Sequence, residues 1–296
     1  MMITVPELVR QVKSGNYRDL ARALTMVENE LAGSTELLKS LRSSKIPVIG
    51  ITGPPGAGKS TLVNEMINHW SADEKSVAVL AIDPTSPFNL GSLLGDRIRM
   101  AEQFTKKNVF IRSIATRGSL GGLSGKTIEM TDVLQSAGFD YILIETVGVG
   151  QSEVEIAGLA DISIVVLVPE SGDEIQNIKS GLMEIADIFV VNKSDRDGAD
   201  AFANNLKNLV HQKSELVPVI KTAANRAEGI NELINAIANR PYSENSRRPF
   251  LLAEKAWKLI QHARMKNIEK KKLLEDITSK HKQPEFNLYS FVESHI

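Results

Sequence analysis

The sequence predicts a doubly wound α/β domain on a mostly parallel sheet, with helical extensions at both ends, and three features predict it. Seven short runs rich in β-branched and other apolar residues recur between about 46 and 240, each followed by a turn and then a stretch of helical character. The runs are apolar on both faces, as strands buried between two helical layers must be. The first run leads straight into a glycine-rich octet and a helical stretch, the order of a right-handed strand–turn–helix crossover.

The strands are expected at residues 48–52, 77–82, 109–114, 141–144, 162–168, 188–191 and 217–220. Before them, Leu8, Val9 and Val12, and then Leu20, Leu24, Val27 and Leu31, recur at helical spacing on either side of Ser14-Gly15-Asn16. Two helices are therefore expected in an N-terminal extension, residues 1–45. The central α/β domain takes 46–240. After a linker-like stretch at 241–246, Phe250, Ala253, Trp257 and Ile260 again follow helical spacing, so 241–296 reads as a C-terminal helical extension and a possible dimerisation region. Eleven Lys/Arg against four Asp/Glu between 247 and 282 make that tail basic, either as a solvated face or as a docking surface.

Composition narrows the function classes. Of 296 residues, 42% are hydrophobic and 24% charged, the profile of a globular protein rather than a disordered or fibrous one. With 35 basic and 36 acidic side chains the net charge is −1, which gives no global electrostatic case for nucleic acid or an anionic membrane. No cysteine is present, so disulfides, thiolate metal sites and a cysteine nucleophile are excluded and a reducing compartment is expected. No stretch approaches the ~18 apolar residues of a membrane span, and the first residues do not read as a secretory leader; a cytoplasmic protein is expected.

Gly53-Pro54-Pro55-Gly56-Ala57-Gly58-Lys59-Ser60 fits G-x-x-x-x-G-K-[ST], and it stands between a strand and a helix, as the chemistry requires. Its glycines let successive N–H groups turn inward to phosphate oxygens, and the following helix, from Thr61, adds the positive end of its dipole. Lys59 would reach the β- and γ-phosphates, and Ser60 would offer a hydroxyl to Mg²⁺. Asn192-Lys193-Ser194-Asp195 follows a later strand, at the carboxyl edge where such sheets bind ligands. The Asp195 carboxylate can accept from both the ring N–H and the exocyclic amine of guanine, and adenine offers no such pair. Lys193 would lie along the base and Asn192 would brace the loops. Thr222-Ala223-Ala224-Asn225 occupies the position of a loop whose backbone N–H meets the guanine oxygen, so Ala223, Ala224 and Asn225 join the nucleotide set.

Glu145-Thr146-Val147-Gly148 is similar to the D-x-x-G of nucleotide switches, with Glu for Asp. Gly148 could give its N–H to the γ-phosphate, and Glu145 could hold Mg²⁺ directly or through water. Asp83 and Asp96 are two further candidates for that ion, although each alone is as readily a helix cap. Val149 stands where small GTPases orient water with glutamine, and valine cannot polarise water. Hydrolysis is therefore expected to be slow and to need a residue moved in, with Gln151, Asp173 and Lys179 as candidates, or a partner. A second glycine-rich stretch, Gly118 to Gly125, reads as a loop, a hinge or a partner contact. The five histidines are scattered without ligand spacing.

Together with Ala81-Ile82-Asp83-Pro84-Thr85-Ser86-Pro87, Leu94-Gly95-Asp96-Arg97, Gly121-Gly122-Leu123-Ser124-Gly125-Lys126-Thr127, Glu145-Thr146-Val147-Gly148-Val149-Gly150-Gln151-Ser152-Glu153 and Ser171-Gly172-Asp173-Glu174-Ile175-Gln176-Asn177-Ile178-Lys179, the chain resembles the MeaB/ArgK family of P-loop GTPases over roughly residues 5–260. The family includes relatives of the human protein altered in methylmalonic aciduria type A. The resemblance implies a GTP-hydrolysing chaperone that gates cofactor delivery to an adenosylcobalamin-dependent acyl-CoA mutase, such as methylmalonyl-CoA mutase, and protects it from inactivation. It also implies a homodimer, a first switch at Asp83 and Asp96, a second at Glu145 to Gln151, and a third around Asp173 and Lys179. Ala223 departs from the Ser or Thr usual at that place. Two other classes stay open on the residues alone: a nickel-delivering GTPase, which would need Cys or clustered His, and a small-molecule kinase of the older arginine-transport description, against which Asn192-Lys193-Ser194-Asp195 weighs.

Overall fold

A computed structural model of the chain describes residues 3–41, 46–83, 100–115, 125–146, 152–170, 181–210, 217–240, 245–265, 268, 270–281 and 286–294. Among the described residues seven strands form one parallel sheet: β1 (Val48–Thr52), β2 (Val77–Asp83), β3 (Val109–Ala115), β4 (Tyr141–Glu145), β5 (Ile162–Leu167), β6 (Ile188–Val191) and β7 (Val219–Lys221). Their order is β3-β2-β4-β1-β5-β6-β7, so the winding reverses at β1. A crevice opens at such a reversal, outside the carboxyl ends of the strands.

The two-sided apolar runs are explained by the layers. Ile164 and Val166 of β5, with Ile188 and Val190 of β6, face a core shared with α4 (Lys59–Ala72) and α9 (Ile230–Ala238), where Leu62, Met66, Trp70, Leu233 and Ile237 are buried. Their neighbours Val165, Leu167, Phe189 and Val191 face the opposite core, with Phe202, Leu206 and Val210 of α8 (Ala199–Val210). Strand period two divides one continuous hydrophobic run between two layers. Trp70 stacks on Tyr141 with ring centroids 4.2 Å apart, fixing α4 against the amino end of β4. In β1, a Cβ on Gly50 would stand 2.5 Å from Cγ1 of Ile156 and 2.9 Å from the Ala160 Cβ, so α6 (Ser152–Leu159) lies directly on the strand.

Among the described residues before β1 there are three helices rather than the two expected: α1 (Val5–Lys13), α2 (Tyr17–Glu28) and α3 (Ser34–Ser40). Asn16 caps α2, its Oδ1 accepting from the Arg18 and Asp19 amides. Leu31 does not extend the α2 stripe. The helix stops at Glu28, Glu30 turns left-handed at φ 51°, and Leu31 stays half exposed. The helices are fastened to the sheet edge by Tyr17, which stacks on Phe139 and meets Phe110 edge-on, and by the ion pairs Glu28–Arg112 at 2.5 Å and Glu30–Lys126 at 2.8 Å. Lys126 opens helix α5 (Gly125–Gln135) and also reaches Glu129 at 2.9 Å. Burial pulls its ammonium down, but the two carboxylates outweigh that and raise its pKa.

The chain divides into a unit of residues 1–248 and a smaller one of 249–296. The end of the first is tied down by Asn245, whose amide donates to the Ala157 and Ala160 carbonyls at 2.7 and 2.6 Å, and by Arg240, which reaches Asp187 Oδ1 at 2.6 Å. Helix α10 (Arg248–Arg264) begins there and runs into the second unit, which holds α11 (Lys270–Lys280) and α12 (Leu288–Glu293). In that second unit Lys280 lies over the Phe291 ring, and large apolar side chains including Phe250, Trp257, Ile260 and Tyr289 are exposed. Among the described residues no helix is long and apolar enough to cross a membrane.

Two predictions follow from this packing. Gly50→Ala should overpack the β1–α6 contact and lower stability by about 1–3 kcal/mol in denaturant unfolding. Where the loops entering β2 and β4 meet, burial pushes the Asp140 carboxyl up, while the Ser76 amide and hydroxyl and Lys75 outweigh it and hold it below its ordinary value. That stabilisation is present above the unfolded-state pKa and lost as pH falls through the lower folded value, so Asp140→Asn should flatten the stability profile between about pH 5 and pH 2.

Candidate functional site

The octet after β1 has a shape that two of its glycines make possible. Gly53 sits at φ 135°, where a Cβ would meet the Val166 carbonyl oxygen at 2.0 Å. Gly58, at φ 86°, would drive a Cβ to 2.4 Å from Nδ2 of Asn192. The loop is thereby pressed against β5 on one side and the Asn192 loop on the other, with Pro54, Pro55, Gly56 and Ala57 between, and it feeds into α4. The helix starts at Lys59, two residues before the expected Thr61. Lys59 is buried and curls back over the loop, donating to the Gly53 and Pro54 carbonyls at 2.8 and 3.0 Å. Its ammonium is thus held at the loop's mouth beside the first turn of α4, where backbone amides and the helix dipole favour an anion.

Ser60 and Glu145 meet next to it. The Ser60 hydroxyl donates to Glu145 Oε1 at 2.6 Å, and both side chains are buried. Glu145 ends β4 and is paired in register with Ile51 of β1 and Ala81 of β2, which brings the end of β2, at Asp83, to the same edge of the sheet. Thr146 is fixed by its amide to the Ile51 carbonyl and its hydroxyl to Thr52, each at 3.0 Å. A hydroxyl and a carboxylate are hard oxygen donors, and their position beside a phosphate-type loop fits Mg²⁺. Asp96, Gly148, Gln151, Asp173 and Lys179, named from the sequence, lie outside the described residues.

On the far side of the octet, Asn192 joins three loops. Its Nδ2 donates to the Ala57 carbonyl at 2.8 Å, and its Oδ1 accepts from the Thr222 hydroxyl at 3.0 Å and the Ala224 amide at 3.2 Å. Lys193 turns left-handed at φ 56°, and the Ser194 amide returns to the Thr222 carbonyl at 3.0 Å, so the loops after β6 and β7 are held as one body. They enclose a cleft of about 230 Å³ lined by Gly58, Thr61, Asn192, Lys193, Asp195, Arg196, Ala224 and Asn225. Ala223 stands behind this wall, fully buried, with its amide given to the Glu228 carbonyl. Asp195 faces the cleft with Arg226 Nη2 at 3.4 Å from Oδ2.

Sequence reasoning did not single out Thr222, Arg196 or Arg226 as site residues. A hydroxyl at a strand's carboxyl end was the available signal for Thr222; nothing local marked the two arginines.

Asn192→Ala would leave the Ala57 carbonyl and the Thr222 and Ala224 donors buried without it. A loss of about 2–4 kcal/mol is expected in thermal or denaturant unfolding. Asn192→Asp keeps the acceptor but turns a carboxylate oxygen on the Ala57 carbonyl, acceptor against acceptor and a buried charge besides, so it should not recover that loss.

This geometry agrees with the relatives of the chain. A family model described as methylmalonyl-CoA mutase-associated GTPase MeaB matches residues 20–282. A Pyrococcus abyssi relative whose name assigns it to the GTPases is 46% identical over 267 residues, 87% of this chain and 82% of its own. The mouse mitochondrial methylmalonic aciduria type A homolog is 37% identical over 253 residues, 77% of this chain and 61% of its own. A crystal structure of LAO/AO transport system kinase shares the fold at TM-score 0.70 and 24% identity, covering 99% of both chains. The match across nearly the whole chain, on a parallel sheet with this phosphate loop at its point of reversal, means that the protein belongs to the MeaB family of methylmalonyl-CoA mutase-associated GTPases.

Proposed function

We propose that this chain is a GTP-hydrolysing chaperone for an adenosylcobalamin-dependent acyl-CoA mutase of the methylmalonyl-CoA mutase type, gating cofactor delivery to it and protecting it from inactivation. One observation carries the nucleotide part: a single buried amide, Asn192, joins the phosphate loop to a cleft that presents Asp195. Phosphates and base of one guanine nucleotide are thereby given fixed separation. The mutase part rests on family membership and on the similarity to the methylmalonic aciduria type A homolog.

In this reading the backbone from Gly53 to Thr61 cradles the phosphates, Lys59 leaves the Gly53 and Pro54 carbonyls for the β/γ oxygens, and the Asp195 carboxylate takes the guanine N1–H and exocyclic amine. Ala224 and Asn225 close the cleft beside the base, with Ala223 buttressing them. Ser60 and Glu145, with Asp83 and Asp96 as further candidates, would hold Mg²⁺. When bound, that ion offsets the charge developing on the phosphate oxygens. Gly148 would sense the γ-phosphate, while Gln151, Asp173 and Lys179 are the candidates to approach the reacting water when a partner docks. Val149 supplies no group that could orient water, so hydrolysis by the chain alone is slow and the partner sets its rate.

The exposed apolar side chains of the second unit, Phe250, Trp257 and Ile260 among them, support a homodimer formed there. The cysteine-free composition and net charge of −1 fit a reducing cytoplasmic setting and a protein partner rather than nucleic acid or membrane. Among the described residues no observation favours nickel delivery or small-molecule phosphorylation.

The test combines calorimetry with capture. With Mg²⁺, GDP should bind at least ~100-fold more tightly than ADP, and the chain loaded with a non-hydrolysable GTP analogue should retain an acyl-CoA mutase from native lysate and hydrolyse GTP faster when that mutase is added back. Recovery of no such mutase with either nucleotide would overturn the chaperone role.

A further inference from the structure

Asp195 is the group on which base selection turns, and its carboxylate already has a neighbour. Arg226 Nη2 stands 3.4 Å from Oδ2; the Asp195 side chain is 17% exposed and that of Arg226 57% exposed. The backbone that carries Arg226 is fixed. Its amide donates to the Ala223 carbonyl at 2.8 Å, and Ala224, two residues earlier, is tied to Asn192. The side chain, by contrast, has solvent to move into. Arg196, which lines the cleft, is engaged by Glu170, and among the described residues Arg226 is the arginine paired with Asp195.

We propose that Arg226 is a specificity-tuning residue, competing with the exocyclic amine of guanine for one oxygen of Asp195. This rests on the guanine reading of the cleft. Guanine presents two adjacent donors, the N1–H and the 2-amino group, and a bidentate pair needs both carboxylate oxygens. With Nη2 already 3.4 Å from Oδ2, the incoming 2-amino group has to share that oxygen with the guanidinium or displace it. Hypoxanthine has the N1–H but no 2-amino group, needs one oxygen, and can bind with the Arg226–Asp195 pair intact. The arginine therefore reduces the advantage of guanine over hypoxanthine and weakens guanine nucleotides selectively. With one partner largely in solvent, a pair of this kind is worth a small factor, about two- to fivefold in affinity.

The experiment measures GDP and inosine diphosphate dissociation constants by calorimetry with Mg²⁺ for the parent chain, Arg226→Ala, Arg226→Lys and Asp195→Asn. Thermal melts serve as a folding check, and the exposure of Arg226 predicts unchanged melting for its two variants. Arg226→Ala should tighten GDP about two- to fivefold and leave inosine diphosphate unchanged, with Arg226→Lys between. Equal shifts for the two nucleotides, no shift, or weaker GDP binding by Arg226→Ala would overturn the proposal while leaving the guanine site standing. If the parent chain binds no guanine nucleotide, or Asp195→Asn keeps the preference for GDP, the guanine reading itself fails and the proposal with it.

Discussion

The geometry of the site depends on the Asn192 side chain, which joins loops that leave three different strands. Its amide gives one donor to Ala57 in the phosphate loop and takes two into its oxygen, from Thr222 and Ala224. In a buried setting such bonds are strong, and each broken one leaves a polar atom that water cannot reach. The octet and the Asp195 cleft are therefore held at a fixed spacing by bonds to one side chain.

Parallel topology explains why those loops meet at all. All seven strands point the same way, so every strand-to-helix turn emerges on one edge, and the reversal at β1 opens the crevice there. Within it the charged groups are already matched: Lys59 on carbonyls of its own loop, Ser60 on Glu145, Arg226 on Asp195. A buried charge without such a partner would be costly. A ligand entering this site exchanges one set of contacts for another, and that exchange gives neighbouring loops a reason to respond to what is bound.

Much of the fold was legible from hydrophobic pattern. The strands appear within two residues of the expected bounds, since a run apolar on both faces fits only the middle layer of such a sheet. The misses have local causes. The third N-terminal helix, Ser34–Ser40, buries only Leu37 and so leaves almost no periodic signal. The end of α2 at Glu28 depends on a left-handed Glu30, a conformation the apolar spacing through Leu31 concealed.

The site divides along the same line. Residue types and short spacings by themselves determined the phosphate loop, the Lys59 and Ser60 roles available to it, and a carboxylate suited to guanine, because those chemistries are written in consecutive residues. Tertiary structure alone decided that Glu145 would meet Ser60, that Asn192 would hold Ala57, Thr222 and Ala224 together, and that Arg226 would stand against Asp195. Those partners lie 85, 135, 30 and 32 positions apart for the first four contacts, and only strand order and register bring such distant residues within a hydrogen bond.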